Sequence, residues 1–200
     1  MVTQKRSVWI VLLGLVALLI YGNCYQIKLP EPKNIKLPDA TMKGRNTFGC
    51  MVNGENFKNK NHWQVILVIL TKIKGLSSSY YNTSYDNFLA PYDFQMNAEM
   101  TYIGTQKSLN FYLSEAEPFI TGRTYKITGE RNSATFYDDE GFMYYTAEEN
   151  YPLEVIFTRF DTTANIASGT FKGTLINTDQ TVGTTVELTD GRFDVKFNHN

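Results

Sequence analysis

The residue with the most specific chemistry in the sequence is Cys24, which ends the stretch YGNC directly after a run of apolar residues. In bacterial lipoprotein signals, a box of small residues ends in a cysteine whose thiol receives diacylglycerol and which becomes the first residue after cleavage. Gly22 fits such a box, whereas Tyr21 and Asn23 depart from its usual residues. The sequence therefore predicts lipid attachment at Cys24.

The segment before Cys24 has the length of an export signal. Lys5 and Arg6 precede fourteen uncharged residues, 8–21, which as a helix would extend about 21 Å at roughly 1.5 Å per residue. A bilayer core is roughly 30 Å thick, so the run is short for a span and matches the apolar part of a signal peptide. We expect residues 1–23 to be a signal peptide of the lipoprotein type. An uncleaved signal anchor and plain secretion are the alternatives.

Candidates for catalysis or metal binding are weaker. The acidic cluster 138–140 lacks the alternating order of a calcium loop and is typical of a solvated hairpin tip. His62 has no companion at a metal-ligand spacing. A glycosidase needs two facing carboxylates, and several acids can be paired on paper: Asp138, Asp161, Asp190 and Asp194. We assign Asp190 and Asp194 to a turn and to a solvent-facing side of a strand, and Glu148 and Glu149 to exposed charge. The sequence thus predicts no catalytic residue, no metal site and no cofactor.

Tyrosines supply the candidate ligand contacts. Four of them are poorly explained by strand alternation: Tyr80, Tyr81, Tyr85 and Tyr92. Amphipathic rings on a loop stack on sugars or anchor a protein partner, and packing of the loop onto a sheet is the alternative use. A glycan or a protein is therefore the expected kind of ligand.

Composition and charge narrow the class of protein. The 200 residues are 42% hydrophobic, 20% charged and 14% aromatic, which predicts one folded domain. Lys5 and Arg6 account for two of the 19 basic residues, so the rest of the chain carries more acidic than basic groups. Without a basic surplus the sequence offers no surface for a phosphate backbone. We therefore expect no nucleic-acid partner.

The two cysteines have different environments. Cys50 alternates with Phe48 as a strand residue would, which predicts a small buried thiol. A disulfide with Cys24 is the alternative, and lipidation of Cys24 would exclude it. Residues 24–45 contain the motif IKLP twice and three prolines within nine residues, which favours an extended tether over a helix or a sheet. One copy adding an edge strand is the alternative to a free tether.

From residue 46 onward the apolar residues alternate with period two. Asn53-Gly54 is a strong hairpin signal, and the run 62–73 predicts one strand with apolar residues on both faces, whereas residues 77–94 read as a long loop. Further strands are predicted at 100–103, 109–113, 125–128, 135–137, 142–146, 153–160 and 166–176, and the last two are predicted to form a hairpin joined through residues 161–165. The fold class is therefore all-β, a single antiparallel β-sandwich or partly closed β-barrel over residues 46–200.

Two local patterns concern the last strands. Gly169 and Gly173 flank Phe171 on one face and leave room for an aromatic ring from a neighbouring strand. Apolar residues lie at even positions before Asp190-Gly191 and at odd positions after it. Either a tight hairpin or a bulge within one bent strand accounts for this change of parity.

The stretches NTFGCMVNG (46–54) and SGTFKGTLIN…VELTDGRFDVKF (168–197) resemble the two ends of uncharacterised small lipoproteins of Bacteroidetes-type bacteria. That family pairs an NTFGC-x-VNG opening with an ITDGRFD-like ending, and the resemblance implies a lipidated envelope protein without implying any chemistry. We therefore expect a protein anchored by lipid to a bacterial membrane of the cell envelope, most simply the outer membrane, and acting as a non-enzymatic binding or structural module. The alternative is an envelope hydrolase that acts on glycans or peptides.

Overall fold

The structure, a computed structural model, describes residues 36–59, 62–66, 69–82, 92–102, 105–129, 131–138, 143–177 and 183–199. Their fold is all-β, which confirms the predicted class. Among these residues, no helix has the length and apolar character needed to cross a bilayer. The described part belongs to one compact unit, Pro32–Asn200. The predicted signal peptide, Cys24 and residues 25–35 of the predicted tether lie outside the described residues.

Fourteen strands occur in the described residues: β1 (Thr47–Val52), β2 (Glu55–Lys58), β3 (His62–Ile66), β4 (Ile69–Ile73), β5 (Leu76–Asn82), β6 (Tyr92–Tyr102), β7 (Thr105–Glu115), β8 (Thr124–Ile127), β9 (Ser133–Asp138), β10 (Met143–Thr146), β11 (Leu153–Asp161), β12 (Ile166–Ile176), β13 (Thr185–Lys196) and β14 (Asn198–His199).

One large sheet curls into a half-barrel. Hydrogen bonds join the strands in the order β5, β6, β7, β9, β10, β12 and β13, and β14 then pairs in parallel with β5. The joint between β10 and β12 is short and consists of the pair Thr146–Ile176. The sheet is therefore a partly closed barrel. Strands β1 and β2 extend it beyond β13, while β11 and β8 branch from β12.

Aromatic rings fill the inside of the curled sheet. The ring centroid of Phe94 on β6 lies 5.3 Å from that of Phe157 on β11 and 6.2 Å from that of Phe193 on β13. These three side chains are buried. Alternation along each strand places such rings inward and the intervening residues outward. Large aromatic side chains of this kind dominate the energetics of a core.

The predicted hairpin at Asn53-Gly54 is confirmed. Val52 pairs with Glu55, and the two turn residues have φ values of 49° and 82°. A primed two-residue turn requires positive φ at both positions, which asparagine and glycine adopt most readily. The predicted hairpin of residues 153–160 with 166–176 is confirmed as well, since β11 and β12 pair along their length.

The change of parity near Asp190 is produced by a bulge. Strand β13 is continuous, with Gly173 opposite Leu188 and Phe171 opposite Gly191, so that one residue of β12 faces two of β13. Asp190 has a φ of 51°, the left-handed conformation that such a bulge requires. Both halves of β13 therefore direct their apolar residues to the core.

The expected room beside Phe171 exists at one of the two glycines. A Cβ atom at Gly169 would lie 2.7 Å from the ring of Phe193, so the absence of a side chain allows that ring to lie over the backbone. At Gly173 the nearest atoms belong to Pro152 and Leu153. The prediction is therefore confirmed at Gly169.

The prediction of one strand over residues 62–73 is wrong. Strands β3 and β4 form an antiparallel pair with Ile66 opposite Ile69, and they make a separate two-stranded sheet. Residues 66–69 are all aliphatic and contain none of the residues that mark most turns. The residue types therefore do not indicate that the chain reverses direction between Ile66 and Ile69.

The prediction of a long loop over residues 77–94 is also wrong where the structure describes it. Residues 77–82 belong to β5 and residues 92–94 to β6, while residues 83–91 lie outside the described part. Ser78 and Tyr80 are buried, whereas Ser77 is exposed. The alternation exists, but serine occupies both faces and so hides the period that apolar residues would show.

Asp194, predicted to face solvent, is buried instead, with 1% of its surface exposed. Its carboxylate accepts hydrogen bonds from the hydroxyl groups of Thr41 and Ser168 and from the backbone N–H groups of Lys43, Gly44 and Arg45. The prediction fails because residues before β1 cover this side of β13. Alternation along a strand cannot reveal such a cover.

The hydrogen bonds determine the ionisation of Asp194. Burial by itself raises the pKa of this carboxyl, but the hydrogen bonds from Thr41, Ser168 and the backbone outweigh burial and hold the pKa at about 2. The side chain is therefore an anion at neutral pH, and its charge is neutralised by oriented N–H and O–H dipoles.

Two arginines attach the same entry segment to the sheet. Arg192 donates a hydrogen bond to the backbone carbonyl of Pro38 at 3.2 Å, and Arg159 donates one to that of Met42 at 2.6 Å. Residues 36–45, the last part of the predicted tether, form no strand and are held against the domain at these points. The chain therefore enters β1 in a fixed position.

Candidate functional site: the outer face of the curled sheet

Hydroxyl and amide side chains cover the outside of four neighbouring strands. We call this surface the polar face, and it consists of the outward residues of β5 (Ser77, Ser79, Tyr81), β6 (Asp93, Gln95, Asn97, Glu99), β7 (Ser108, Asn110, Tyr112, Ser114) and β9 (Ser133, Thr135, Tyr137). The residues between them are directed inward, as the burial of Phe94, Phe111 and Phe136 shows. The aromatic core thus fixes which side chains reach the outer face.

The strand register aligns these groups into rows. Ser77 pairs with Asn97, Asn97 with Asn110, and Asn110 with Thr135. Because neighbouring strands lie about 4.8 Å apart, the four side chains span about 14 Å across the sheet. A second row runs beside the first, from Ser79 through Gln95 to Tyr112.

An open cavity of about 330 Å³ lies over the β5 side of the polar face. Its lining consists of Ser77, Ser78, Ser79, Tyr81, Gln95, Asn97, Asn110 and Asn198. Asn198 reaches the cavity because β14 pairs with β5 at Ser79. The pairing of β14 with β5 therefore supplies one wall of the cavity.

Two side-chain oxygens on the polar face are covered and have no hydrogen-bond partner. These atoms are Oδ1 of Asn97 and Oδ1 of Asp93. The amide nitrogen of Asn97 donates to Glu99 at 3.0 Å, which orients the side chain while its oxygen stays unpaired. A covered acceptor without a partner costs about 1–3 kcal/mol. A bound molecule that donates a hydrogen bond would remove that cost.

Tyr112 bonds through its hydroxyl group to the cross-strand pair Asp93 and Ser114. Burial raises the pKa of Tyr112, its hydrogen bond with Ser114 acts in the opposite direction, and its hydrogen bond with Asp93 raises the pKa further. The phenol therefore remains protonated at neutral pH and acts as a donor to the Asp93 carboxylate. Two strands are thereby linked on the solvent side of the sheet.

An exposed aromatic pair borders the polar face on its β9 side. The ring centroids of Tyr137 on β9 and Tyr144 on β10 lie 4.6 Å apart, with an angle of 38° between the rings. Tyr144 is 53% exposed. Register explains the contact, because Tyr137 pairs with both Ser108 and Tyr144 across the strands. The pair forms an aromatic ledge beside the row of amides.

The four tyrosines predicted as ligand contacts have different positions. Tyr80 is 3% exposed and packs in the core, 5.2 Å from Phe160 between ring centroids. Tyr92 is partly buried and packs against the same core. Tyr81 lies on the polar face and lines its cavity, and Tyr85 lies outside the described residues. The structure thus brings Tyr81 to the site and places Tyr80 in the interior.

The acidic residues weighed for catalysis lie apart from one another in most cases. Asp138 lies 3.4 Å from Lys107. Asp161 accepts a hydrogen bond from Arg159 at 2.7 Å, and this bond together with those from the turn N–H groups lowers the pKa of Asp161. Asp190 lines an open cavity of about 290 Å³ at the bulge, which Glu154 also lines. Among the acids discussed, Asp190 thus shares a cavity with a second carboxylate, that of Glu154.

The remaining candidates from the sequence are one thiol, two adjacent glutamates and His62. Cys50 is a free, fully buried thiol, and burial raises its pKa to about 12, which confirms the expected buried cysteine. Glu148 and Glu149 are exposed, as expected. The backbone of His62 is in β3, and its side chain lies outside the described part. Within the described ranges, no group of three or more His, Cys, Asp or Glu side chains is placed to hold a metal ion.

The polar face was not predicted, although its composition is visible in the sequence. Asparagine, aspartate and serine are poor strand residues, yet Asn97 and Asn110 lie opposite each other in the middle of two long strands. Residues that contradict their local structure are frequent at functional sites. These polar residues indicate a functional surface only when the positions of strands β5 and β6 are known.

Comparisons of the chain with protein-family models, with curated proteins and with solved structures found no match.

Proposed function

We propose that the protein is a lipid-anchored component of a bacterial cell envelope, most simply of the outer membrane, and that its β domain is a non-enzymatic binding module. Cys24 carries the lipid and the polar face binds the ligand. The resemblance to small lipoproteins and the length of the apolar run support the anchor. The observation that carries the binding role is the aromatic ledge beside a row of amides, together with two covered oxygens on β6, one of Asn97 and one of Asp93, that lack partners.

The fixed entry of the chain fits such a role. Asp194, Arg159 and Arg192 hold residues 38–45 to the outside of β11–β13, so a pull on the anchor acts on the sheet and not on a free end. A module that binds a ligand while attached to a membrane benefits from this arrangement, because tension on the attachment reaches the domain at these residues.

Intact mass of the mature protein from the membrane fraction of its host tests the anchor. The expected product begins at Cys24 and carries the mass of a diacylglyceryl group, and Cys24→Ser abolishes both the cleavage and the added mass. An unmodified chain that retains Met1 would contradict lipidation and favour the uncleaved anchor.

Co-sedimentation tests the binding role. The mature protein, purified in detergent, is mixed with envelope material of the host from which lipid has been extracted, and the bound fraction is measured. We expect binding by the wild type and loss of binding in Asn97→Lys, which places a bulky charge in the middle of the polar face. Thr158→Lys is the matched control, since Thr158 is an exposed residue of β11. Equal binding of all three proteins would contradict the polar face as the binding surface.

The cavity at the bulge favours one alternative, an envelope hydrolase. Glu154 and Asp190 both line it, and two carboxylates that share a cavity are the minimum for glycoside hydrolysis. Release of reducing ends from envelope polysaccharide by the wild type, and not by Glu154→Gln, would support the hydrolase. The binding proposal predicts no release by either protein.

A further inference from the structure

We propose that the ligand of the polar face is an uncharged polysaccharide segment, which lies across β5, β6, β7 and β9 with one sugar ring on the Tyr137–Tyr144 pair. This inference rests on the proposed function, because it specifies the ligand of the same surface. It follows from three properties of the polar face, namely its hydrogen-bonding groups, its charge and its aromatic ledge.

The hydrogen-bonding groups of the row Ser77, Asn97, Asn110 and Thr135 suit hydroxyl ligands. An asparagine side chain offers two donors and a carbonyl acceptor, and a serine or threonine hydroxyl can donate or accept. Sugar hydroxyls also donate and accept hydrogen bonds, so adjacent hydroxyls of one ring can pair with the NH₂ donor and the carbonyl acceptor of one amide. Asn97 and Asn110 are cross-strand neighbours, which places two amides side by side for a row of hydroxyls.

The unpaired oxygens specify what the ligand must contribute. Oδ1 of Asn97 and Oδ1 of Asp93 are both acceptors, so the missing partners are donors. A neutral hydroxyl supplies a donor without bringing a charge that would have to be desolvated. A ligand that is rich in carbonyl or phosphate oxygens would leave both atoms unpaired.

The charge of the polar face disfavours anionic ligands. Asp93 and Glu99 are its charged residues, and none of the residues by which the face is defined is lysine or arginine. Polyanions bind through clustered cations whose contacts release counterions. A nucleic acid, a phosphate-rich polymer or an acidic polysaccharide would be repelled here, whereas an uncharged polysaccharide would not be.

The aromatic ledge provides the apolar contact that a sugar needs. The exposed ring of Tyr144 and the adjacent ring of Tyr137 offer a surface on which the C–H groups of a pyranose ring can pack. Ser108 pairs with Tyr137, and Ser108 and Asn110 are successive outward residues of β7. The ledge is therefore continuous with the outward side chains of β7. A chain of sugars can therefore contact both the ledge and the amides.

A protein ligand fits these properties less well. The centres of protein interfaces are enriched in aromatic residues, methionine and arginine and depleted in serine. The row Ser77, Asn97, Asn110 and Thr135 is the opposite, since it consists of serine, threonine and amides, and the exposed ring pair lies at one border of the face. A protein would find no apolar anchor along this row.

Binding of the detergent-purified mature protein to soluble, uncharged host-envelope polysaccharide, measured by isothermal titration, tests the inference. We expect Asn110→Ala and Tyr144→Ala each to weaken binding about tenfold, the loss typical of truncating a residue that carries much of the binding energy. The matched controls are Thr158→Ala and Ile120→Ala, which remove an exposed polar and an exposed apolar side chain away from the polar face. Equal affinities for all five proteins, or no heat of binding to any of them, would overturn the inference. Thermal unfolding of each variant shows whether a loss of binding reflects a loss of fold.

Chemical treatment of the envelope material separates this inference from the proposed function. In the co-sedimentation assay, periodate oxidation of the sugars is expected to abolish binding and proteinase digestion to leave it unchanged. If proteinase abolishes binding that depends on Asn97 and periodate does not, the polar face is a binding surface for protein and the polysaccharide inference fails alone. If the wild type binds no envelope material before either treatment, the proposed binding role itself fails.

Discussion

Replacement of Asp194 by asparagine should destabilise the domain strongly, because one carboxylate organises the entry of the chain. The side chain is 1% exposed and accepts five hydrogen bonds, three of them from backbone N–H groups of residues 43–45. In Asp194→Asn an NH₂ group replaces one accepting oxygen, so donors face a donor. Leaving buried donors unpaired costs about 1–3 kcal/mol each. We expect a total loss of about 3 kcal/mol, since part of the entry segment can relax toward water.

The pH dependence of this loss follows from the pKa of Asp194. The folded state lowers the pKa from 3.8 to about 2, which corresponds to about 2 kcal/mol at about 1.4 kcal/mol per unit. A carboxyl with a lowered pKa stabilises the fold above its unfolded pKa, and this contribution is lost as the pH falls from about 4 through about 2. The difference between wild type and Asp194→Asn should therefore narrow by about 2 kcal/mol over this range.

Urea unfolding of both proteins at pH 6, 4 and 3 measures the difference, which should have narrowed by about 1 kcal/mol at pH 3. At pH 6 a loss of about 3 kcal/mol corresponds to a decrease of about 6–12 °C in melting temperature for a domain of this size. Asp190→Asn is the matched control, because Asp190 lies on the same strand but is exposed, and surface changes of this kind are usually within about 0.5 kcal/mol. Equal stabilities of the two variants, or a difference from wild type that does not depend on pH, would refute the reasoning.

Two further predictions concern the core. Cys50 is fully buried with a pKa of about 12, so iodoacetamide at pH 8 should label it only after denaturation, and labelling of the folded protein at the unfolded rate would show that the thiol is accessible. Gly169→Ala should lower the free energy of unfolding by about 1–3 kcal/mol, because the new Cβ meets the ring of Phe193 and a backbone oxygen. The control Gly183→Ala meets the flexible end of Ile176 first, at 3.0 Å, so equal losses in chemical denaturation would show that the contact with Phe193 is unimportant.

Local signals in the sequence predicted the parts of the fold that depend on neighbouring residues. The hairpin at Asn53-Gly54 is set by two adjacent residues that tolerate positive φ. The parity change at Asp190 was visible, but its cause was open, because a hairpin and a bulge have the same residue pattern. Strand β13 pairs with β12 on both sides of Asp190, which shows that the cause is a bulge. Neighbouring residues in the sequence do not reveal this pairing.

The features that sequence reasoning missed depend on residues far apart in the chain. Asp194 is covered by Thr41 and Gly44, about 150 positions earlier, so alternation along β13 could not predict its burial. The polar face depends on the register of strands β5 to β9, and β5 was predicted as loop because serine lies on both of its faces. Tyr80 was therefore interpreted as a loop residue, although its ring packs in the core.

The most direct test of the binding surface is a map of amide chemical shifts of the ¹⁵N-labelled protein on addition of uncharged envelope polysaccharide. The account predicts that the changes concentrate in β5, β6, β7 and β9, around Ser77, Asn97 and Asn110, and at Tyr144. Changes centred on the cavity of Glu154 and Asp190, with the polar face unaffected, would contradict it.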